Sequence, residues 1–134
     1  MKVLVVGSQR VASILATSLA EDGHEVTVLG TDGERLEEMS DEQPVEVLLS
    51  SGSLMEDFRD VDIDSVDVCL AVSSDDNWNA MAAQVASSIF QVPKVICLVE
   101  EPEKEGFYRR LGIRTICPTT ILADIIRTAM VDAG

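Results

Sequence analysis

No stretch of about eighteen consecutive apolar residues occurs in the 134-residue sequence, which excludes a single helix spanning a bilayer. The apolar start at residues 2–6 is too short, and too soon followed by Gly7, Ser8 and Gln9, to act as a signal peptide, so the protein is expected to be soluble and cytosolic. Lysine occurs only at positions 2, 94 and 104, and 10 basic residues stand against 24 acidic ones, for a formal net charge of −14. That shortage of positive charge repels phosphate backbones and anionic lipid heads. It argues against nucleic acid as a partner and against direct lipid insertion, and it requires any anionic ligand to be held by local groups. A surface so acidic fits a high-salt cytoplasm or ordinary solubility.

Histidine occurs once, as His24, in a helix-to-strand turn at the end of the sheet away from any ligand edge, which excludes the usual catalytic histidine. Cys69, Cys97 and Cys117 lie in or at the end of apolar segments without C-x-x-C spacing, and read as buried thiols rather than zinc or redox ligands. No Ser-His-Asp set, Cys-His pair or acid/base pair can be assembled from the residues at plausible positions.

What is present is a regular alternation. β-branched apolar runs at residues 2–6, 25–29, 45–49, 67–73, 94–99 and 114–117 predict strands. Val11, Ile14, Leu15, Ser18 and Leu19 recur at three- and four-residue spacing, predicting an amphipathic helix over 10–22 that Gly23 ends. Asp32 and Glu34 open a second helix through Leu36 and Met39, and residues 40–44 read as a polar turn. The acidic connection 50–66 predicts a loop with a short helix around 54–58. Asp75 or Asp76 caps a helix over 77–90, and segments 103–111 and 119–130 predict two more. Strands and helices alternating in this way specify an α/β fold: a Rossmann-type, doubly wound parallel sheet of about six strands with helices on both faces. With 46% hydrophobic content the chain supports one domain over residues 1–134, without internal repeat or linker.

Ligands of such sheets bind at the carboxyl ends of the strands, where strand order reverses. After the first strand, the positions of a G-x-G-x-x-G phosphate loop read Gly7, Gln9 and Ala12. Gly7 keeps the turn and Ala12 is a small substitute, but Gln9 places a side chain where pyrophosphate normally meets bare backbone. Ser8, Arg10 and Val11 complete the loop, and helix-start amides with Arg10 can hold a phosphate; Arg10 is otherwise a solvated helix residue. After the second strand come Gly30, Thr31 and Asp32, where a ribose-binding acid usually stands; Asp32 either reaches a ribose or caps the next helix. Ser51, Gly52 and Ser53 follow the third strand. Ser73, Ser74, Asp75, Asp76 and Asn79 form the densest polar cluster, part of it capping, with a cation at the two carboxylates as a weaker reading. Trp78 and Tyr108 read as packing residues, with Trp78 alternatively lining the site.

In order along the chain, Val5-Val-Gly-Ser-Gln-Arg-Val-Ala12, Gly23-His-Glu-Val-Thr-Val-Leu29, Asp32-Gly-Glu-Arg-Leu36, Ala71-Val-Ser-Ser-Asp-Asp-Asn-Trp-Asn79 and Phe107-Tyr-Arg-Arg-Leu-Gly-Ile113 resemble the TrkA-N domain. This is the Rossmann-type RCK or KTN module of the Trk and Ktr potassium-uptake systems and of ligand-gated potassium channels. The resemblance spans residues 1–130 and rests on many modest matches in order. It implies a regulatory, non-enzymatic subunit that binds an adenine nucleotide (AMP, ADP, ATP or NAD(H)) and passes its state to a potassium-conducting membrane protein. It also implies a cytoplasmic location at the inner face of the membrane, and dimers or rings with the helix at 119–130 packed on a neighbour. Gly7 and Arg10 match the family's phosphate loop, Ser51, Gly52 and Ser53 the loop near the base, and Ser73, Asp76 and Asn79 the loop after strand four. The departures are Gln9 for the second loop glycine, Gly30 for the ribose acid, Ser50 for a frequent glycine, and Leu98 and Glu100 where arginines often stand. They favour AMP or ADP over a dinucleotide; NADP is disfavoured because no Arg follows Gly30 directly and Glu100 repels it. Two further readings are a binding-deficient structural partner in a mixed ring, and a small NAD(P)-dependent enzyme. The chain stops near the end of the module, as a shortened piece or a minimal subunit would.

Overall fold

The computed structural model describes residues 1–132; the last two residues of the expected 1–134 unit lie outside the described part. Six strands, β1 (Lys2–Val6), β2 (Glu25–Gly30), β3 (Glu46–Leu49), β4 (Val68–Ala71), β5 (Lys94–Leu98) and β6 (Arg114–Ile116), form one all-parallel sheet in the order β3-β2-β1-β4-β5-β6. The expected six-stranded, doubly wound sheet is therefore the fold of this chain. Strand order reverses between β1 and β4, which pair in register from Val3 with Val68 to Val6 with Ala71.

The strands read as unbroken apolar runs because both sheet faces are covered. Leu4 and Val6 of β1 join Cys69, Ala71, Val95 and Cys97 in one core, under α3 (Leu54–Asp60) and α4 (Asp76–Gln84). Val3 and Val5 join Val26, Val28 and Leu70 in the other, under α1 (Arg10–Glu21) and α2 (Gly33–Glu42). A one-residue slip of any central strand would exchange these two sets. All three cysteines are buried free thiols. Burial, then the neighbouring Cys97, pushes the Cys69 thiol up to about 12; burial, then Asp76, does the same to Cys97.

Four local expectations need correction. The buried face of α1 is Ala12 and Ala16, flanked by Leu15 and Leu19, whereas Val11, Ile14 and Ser18 are exposed. The turn at Gly7 sets the helix phase so that Ala12, at the third loop position, lies on the sheet, and only small side chains fit that close an approach. Residues 40–42 are helical, not part of a turn. The helix stops at Gln43, whose extended backbone (φ −143°, ψ 153°) is what a residue before Pro44 is forced to adopt. The helix expected at 54–58 runs on to Asp60, followed by a 3-10 turn, Ile63–Ser65, that inserts Ile63 into the core. The helix expected over 77–90 starts at Asp76, with Asp75 as its cap, and its last part is a π-helix, Val85–Ile89.

After a 3-10 turn at Pro102–Lys104, α5 (Glu105–Arg110) packs Tyr108 against the first core. The final helix, α6 (Pro118–Asp132), has no buried residue; Ile121, Leu122, Ile125, Ile126, Met130 and Val131 are all exposed on it. No helix among the described residues is long and apolar enough to cross a membrane.

Candidate functional site

The loops after β1 and β4 diverge at the reversal of strand order, and their geometry begins with Gly7. Its φ of +133° is one that L side chains rarely adopt, and a Cβ there would come within 3.0 Å of the Ser73 backbone. The amide of Gly7 donates to the Leu29 carbonyl at 2.8 Å, so the chain turns sharply out of the sheet and into α1.

The starts of α2, α3 and α4 are closed by their own side chains. Asp32 accepts from the Glu34 and Arg35 amides, Ser53 from the Glu56 amide, and Asp75 from the Asn77 and Trp78 amides. At α1 the N-cap residue is Gln9, which makes no side-chain cap, and the first turn holds no acidic residue. The Gln9 amide instead crosses to the β4 side and donates to the Val72 carbonyl. The first-turn N–H groups of α1 are thus left for water or a ligand, at the end of the helix that favours an anion.

These elements enclose a cavity of about 700 Å³. Gly7, Ser8, Gln9 and Arg10 line it from the β1 side, Thr31, Asp32 and Arg35 from the β2 side, and Ser73, Ser74 and Asp75 from the β4 side. Asn77, Trp78 and Met81 of α4 form the remaining wall, so Trp78 both packs on the core and lines the site. Arg10 and Arg35 take part in no ion pair among the described residues. Arg35 Nε donates to the Ser8 carbonyl at 3.1 Å, which fixes this side chain across the β1–β2 edge.

Of the residues singled out from the sequence, Gly7, Ser8, Gln9, Arg10, Thr31, Asp32, Ser73 and Ser74 meet at the cavity. Seven others stand outside its lining. Val11 faces outward on α1, and Gly30 lies beneath Ser8, where a Cβ would fall 2.9 Å from the Ser8 Cβ and Oγ. Ser51, Gly52 and Ser53 belong to a separate turn built on the buried Asp57, which accepts from Ser50 Oγ at 2.6 Å, the Ser51 amide at 2.9 Å and Ser51 Oγ at 2.8 Å. Asp76 accepts from the Glu100 amide at 3.1 Å. Asn79 is fully buried behind the β4 loop, accepting from the Ser73 amide (2.8 Å) and Ser73 Oγ (2.7 Å) and donating to the Ser73 carbonyl (2.8 Å). Glu100, expected to repel a phosphate, is also outside the lining. Sequence reading missed Arg35, Asn77 and Met81 as wall residues. For Arg35 a signal existed: it follows the Asp32 cap by three residues and so points back over the start of its own helix.

His24 sits at the opposite end of the sheet, where its Nδ1 lies 3.1 Å from the N-terminal amine. No group of three or more His, Cys, Asp or Glu side chains gathers as a metal site among the described residues.

The family model described as the TrkA-N domain matches residues 3–118, most of the chain. The chain belongs to the TrkA-N domain family. Over 134 residues this TrkA-N domain is 30% identical to the Trk system potassium uptake protein TrkA of Streptomyces coelicolor, covering all of the chain and 60% of that protein. It is 27% identical over 140 residues to the protein of the same name from Halomonas elongata, covering 31% of that one. The chain thus spans less than two thirds of either relative.

Solved structures share the fold. The TrkA-N domain of inner membrane protein ybaL from Escherichia coli superposes with a TM-score of 0.83 at 16% identity, covering 95% of this chain and 94% of that one. The Kef C-terminal domain of Shewanella denitrificans, in an AMP-bound form, gives 0.83 at 12% identity, covering 100% and 82%. The GsuK channel bound to NAD gives 0.77 at 18% identity, covering 90% and 22%.

Proposed function

We propose that this TrkA-N domain is a regulatory module of a potassium uptake system or channel that binds an adenine nucleotide in the cavity between the β1 and β4 loops. The observation that carries the reading is the uncapped start of α1, with the Arg10 guanidinium, in no ion pair among the described residues, beside it, opening into a cavity of about 700 Å³ at the strand-order reversal. In a chain of net charge −14, a phosphate needs such a local arrangement. The AMP and NAD named for the fold neighbours support the ligand class, and the Trk relatives support the potassium-transport setting.

Gln9 favours AMP, with its single phosphate, because its side chain occupies the crossing where the pyrophosphate of ADP or of a dinucleotide would lie against backbone. The Trk relatives are potassium-uptake proteins, which supports a module that acts by binding rather than by catalysis. A nucleotide touching the Arg10 and Ser73 sides at once favours one spacing of the two loops, and a ring of copies joined through α6 carries that spacing to a potassium-conducting membrane partner at the cytoplasmic face. The Gln9 bridge also supports a second reading, a binding-deficient partner in a mixed ring.

A thermal-shift panel of AMP, ADP, ATP, NAD, NADH and NADPH separates the two. A mononucleotide at about 100 times its dissociation constant adds about 2.7 kcal/mol to the stability of the native state. For a domain of this size that raises the melting temperature by about 10 °C. No shift across the panel would overturn the sensor reading in favour of the structural partner.

A further inference from the structure

The cavity has two cationic borders, and a 5′-phosphate accounts for only one of them. Arg10 opens α1; Arg35 lies in the first turns of α2, at the β2 edge, where this fold holds the ribose hydroxyls with an acidic residue. Here the acid is missing and its place is closed: a Cβ on Gly30 would lie 2.9 Å from the Ser8 Cβ, so no carboxylate can stand there without moving the β1 loop. Asp32, the nearest alternative, has Oδ1 engaged by the Glu34 and Arg35 amides. Arg35 is anchored through Nε to the Ser8 carbonyl, and among the described residues its terminal NH2 groups have no protein acceptor. The edge that reads a ribose diol through a carboxylate is therefore rebuilt around a fixed guanidinium and the Thr31 side of the cavity.

We propose that the site selects an adenine nucleotide carrying a phosphate on the ribose 2′ position, with that phosphate on Arg35 and the 5′-phosphate on Arg10 and the α1 amides. The planar, permanently charged guanidinium suits a phosphate dianion and has little use for a neutral diol. Glu100 stands outside the lining, and the two carboxylates within it, Asp32 and Asp75, each accept from the amides at a helix start. This inference rests on reading the cavity as an adenine-nucleotide site and names the nucleotide more narrowly.

The test is calorimetric titration of the wild-type protein, Arg35→Gln and Arg35→Lys with adenosine 2′,5′-bisphosphate, AMP, 5′-ADP and NADP. The bisphosphate is expected to bind at least about tenfold more tightly than AMP, the increment of one charge-assisted contact. Arg35→Gln should erase that preference, so that the bisphosphate and AMP bind the variant with equal affinity, and Arg35→Lys should restore part of it. NADP distinguishes the two carriers of the phosphate: binding like the bisphosphate makes the ligand a dinucleotide, and weaker binding makes it a mononucleotide, with the 2′-phosphate read in both. Equal affinity for AMP and the bisphosphate, tighter binding of 5′-ADP than of the bisphosphate, or a preference that survives Arg35→Gln would overturn the inference while leaving the nucleotide site intact. Absence of binding by all four would overturn the site itself.

Discussion

Replacing Asn79 with Ala is expected to lower the unfolding free energy by about 3 kcal/mol, and the melting temperature by about 10 °C. The side chain is fully buried and satisfied from several directions, by the amide, hydroxyl and carbonyl of Ser73 and, at 3.4 Å, by the Leu98 carbonyl. Truncation removes these bonds together and leaves the amide and carbonyl of the partly buried Ser73 without partners, which costs more than the net value of the bonds themselves. Since Ser73 forms one wall of the cavity, the same variant should also lose nucleotide affinity. Urea and thermal denaturation of both proteins measure the effect, and a loss under about 1 kcal/mol would mean that the β4 loop holds its shape without Asn79.

The second large effect concerns α6. Six large apolar side chains lie exposed along it, from Ile121 at 46% to Met130 and Val131 at 73%. A contiguous apolar face of this kind marks an interaction site. If two copies bury it against each other, the double variant Leu122→Asp/Ile126→Asp removes four anchoring side chains from a symmetric pair. At about 1.5–3 kcal/mol for each fully buried side chain, that is about 6–12 kcal/mol, comparable with the whole of a micromolar association, about 8 kcal/mol. Light scattering coupled to size exclusion should therefore give a dimer or larger ring for the wild type and the 14.5 kDa monomer for the variant. A wild-type protein that runs as a monomer at high concentration would contradict assembly through α6.

Much of the architecture was legible in the sequence because buried parallel strands declare themselves as short β-branched runs, and each helix between them carries a cap or a stop. Asp32, Asp75 and Gly23 act locally, and their roles follow from neighbours within a few residues. At Gly23 (φ +89°) the His24 amide closes back on the Leu19 carbonyl as α1 ends. The α1 face was misread because Val11 and Ile14 outweigh Ala12 and Ala16 in any apolar count, although the alanines are the residues that fit against the sheet. The contact of Arg35 with the β1 loop and the Ser51–Asp57 turn were hidden for a different reason. A guanidinium on α2 meeting the β1 loop, and a carboxylate buried by the serines before its helix, depend on where two separate segments come to rest. The Gln9 substitution was visible, but its path to the Val72 carbonyl was not, since it requires knowing that β1 and β4 are neighbours.

The proposed site stands or falls on a nucleotide phosphate at the start of α1 beside Arg10. Titration calorimetry of AMP into the wild-type protein and into Arg10→Ala at matched salt tests it most directly. One site per chain is expected in the wild type and affinity reduced at least about tenfold in Arg10→Ala, with the melting temperature of the unliganded protein unchanged because Arg10 is exposed. Equal affinity in the two proteins would contradict it.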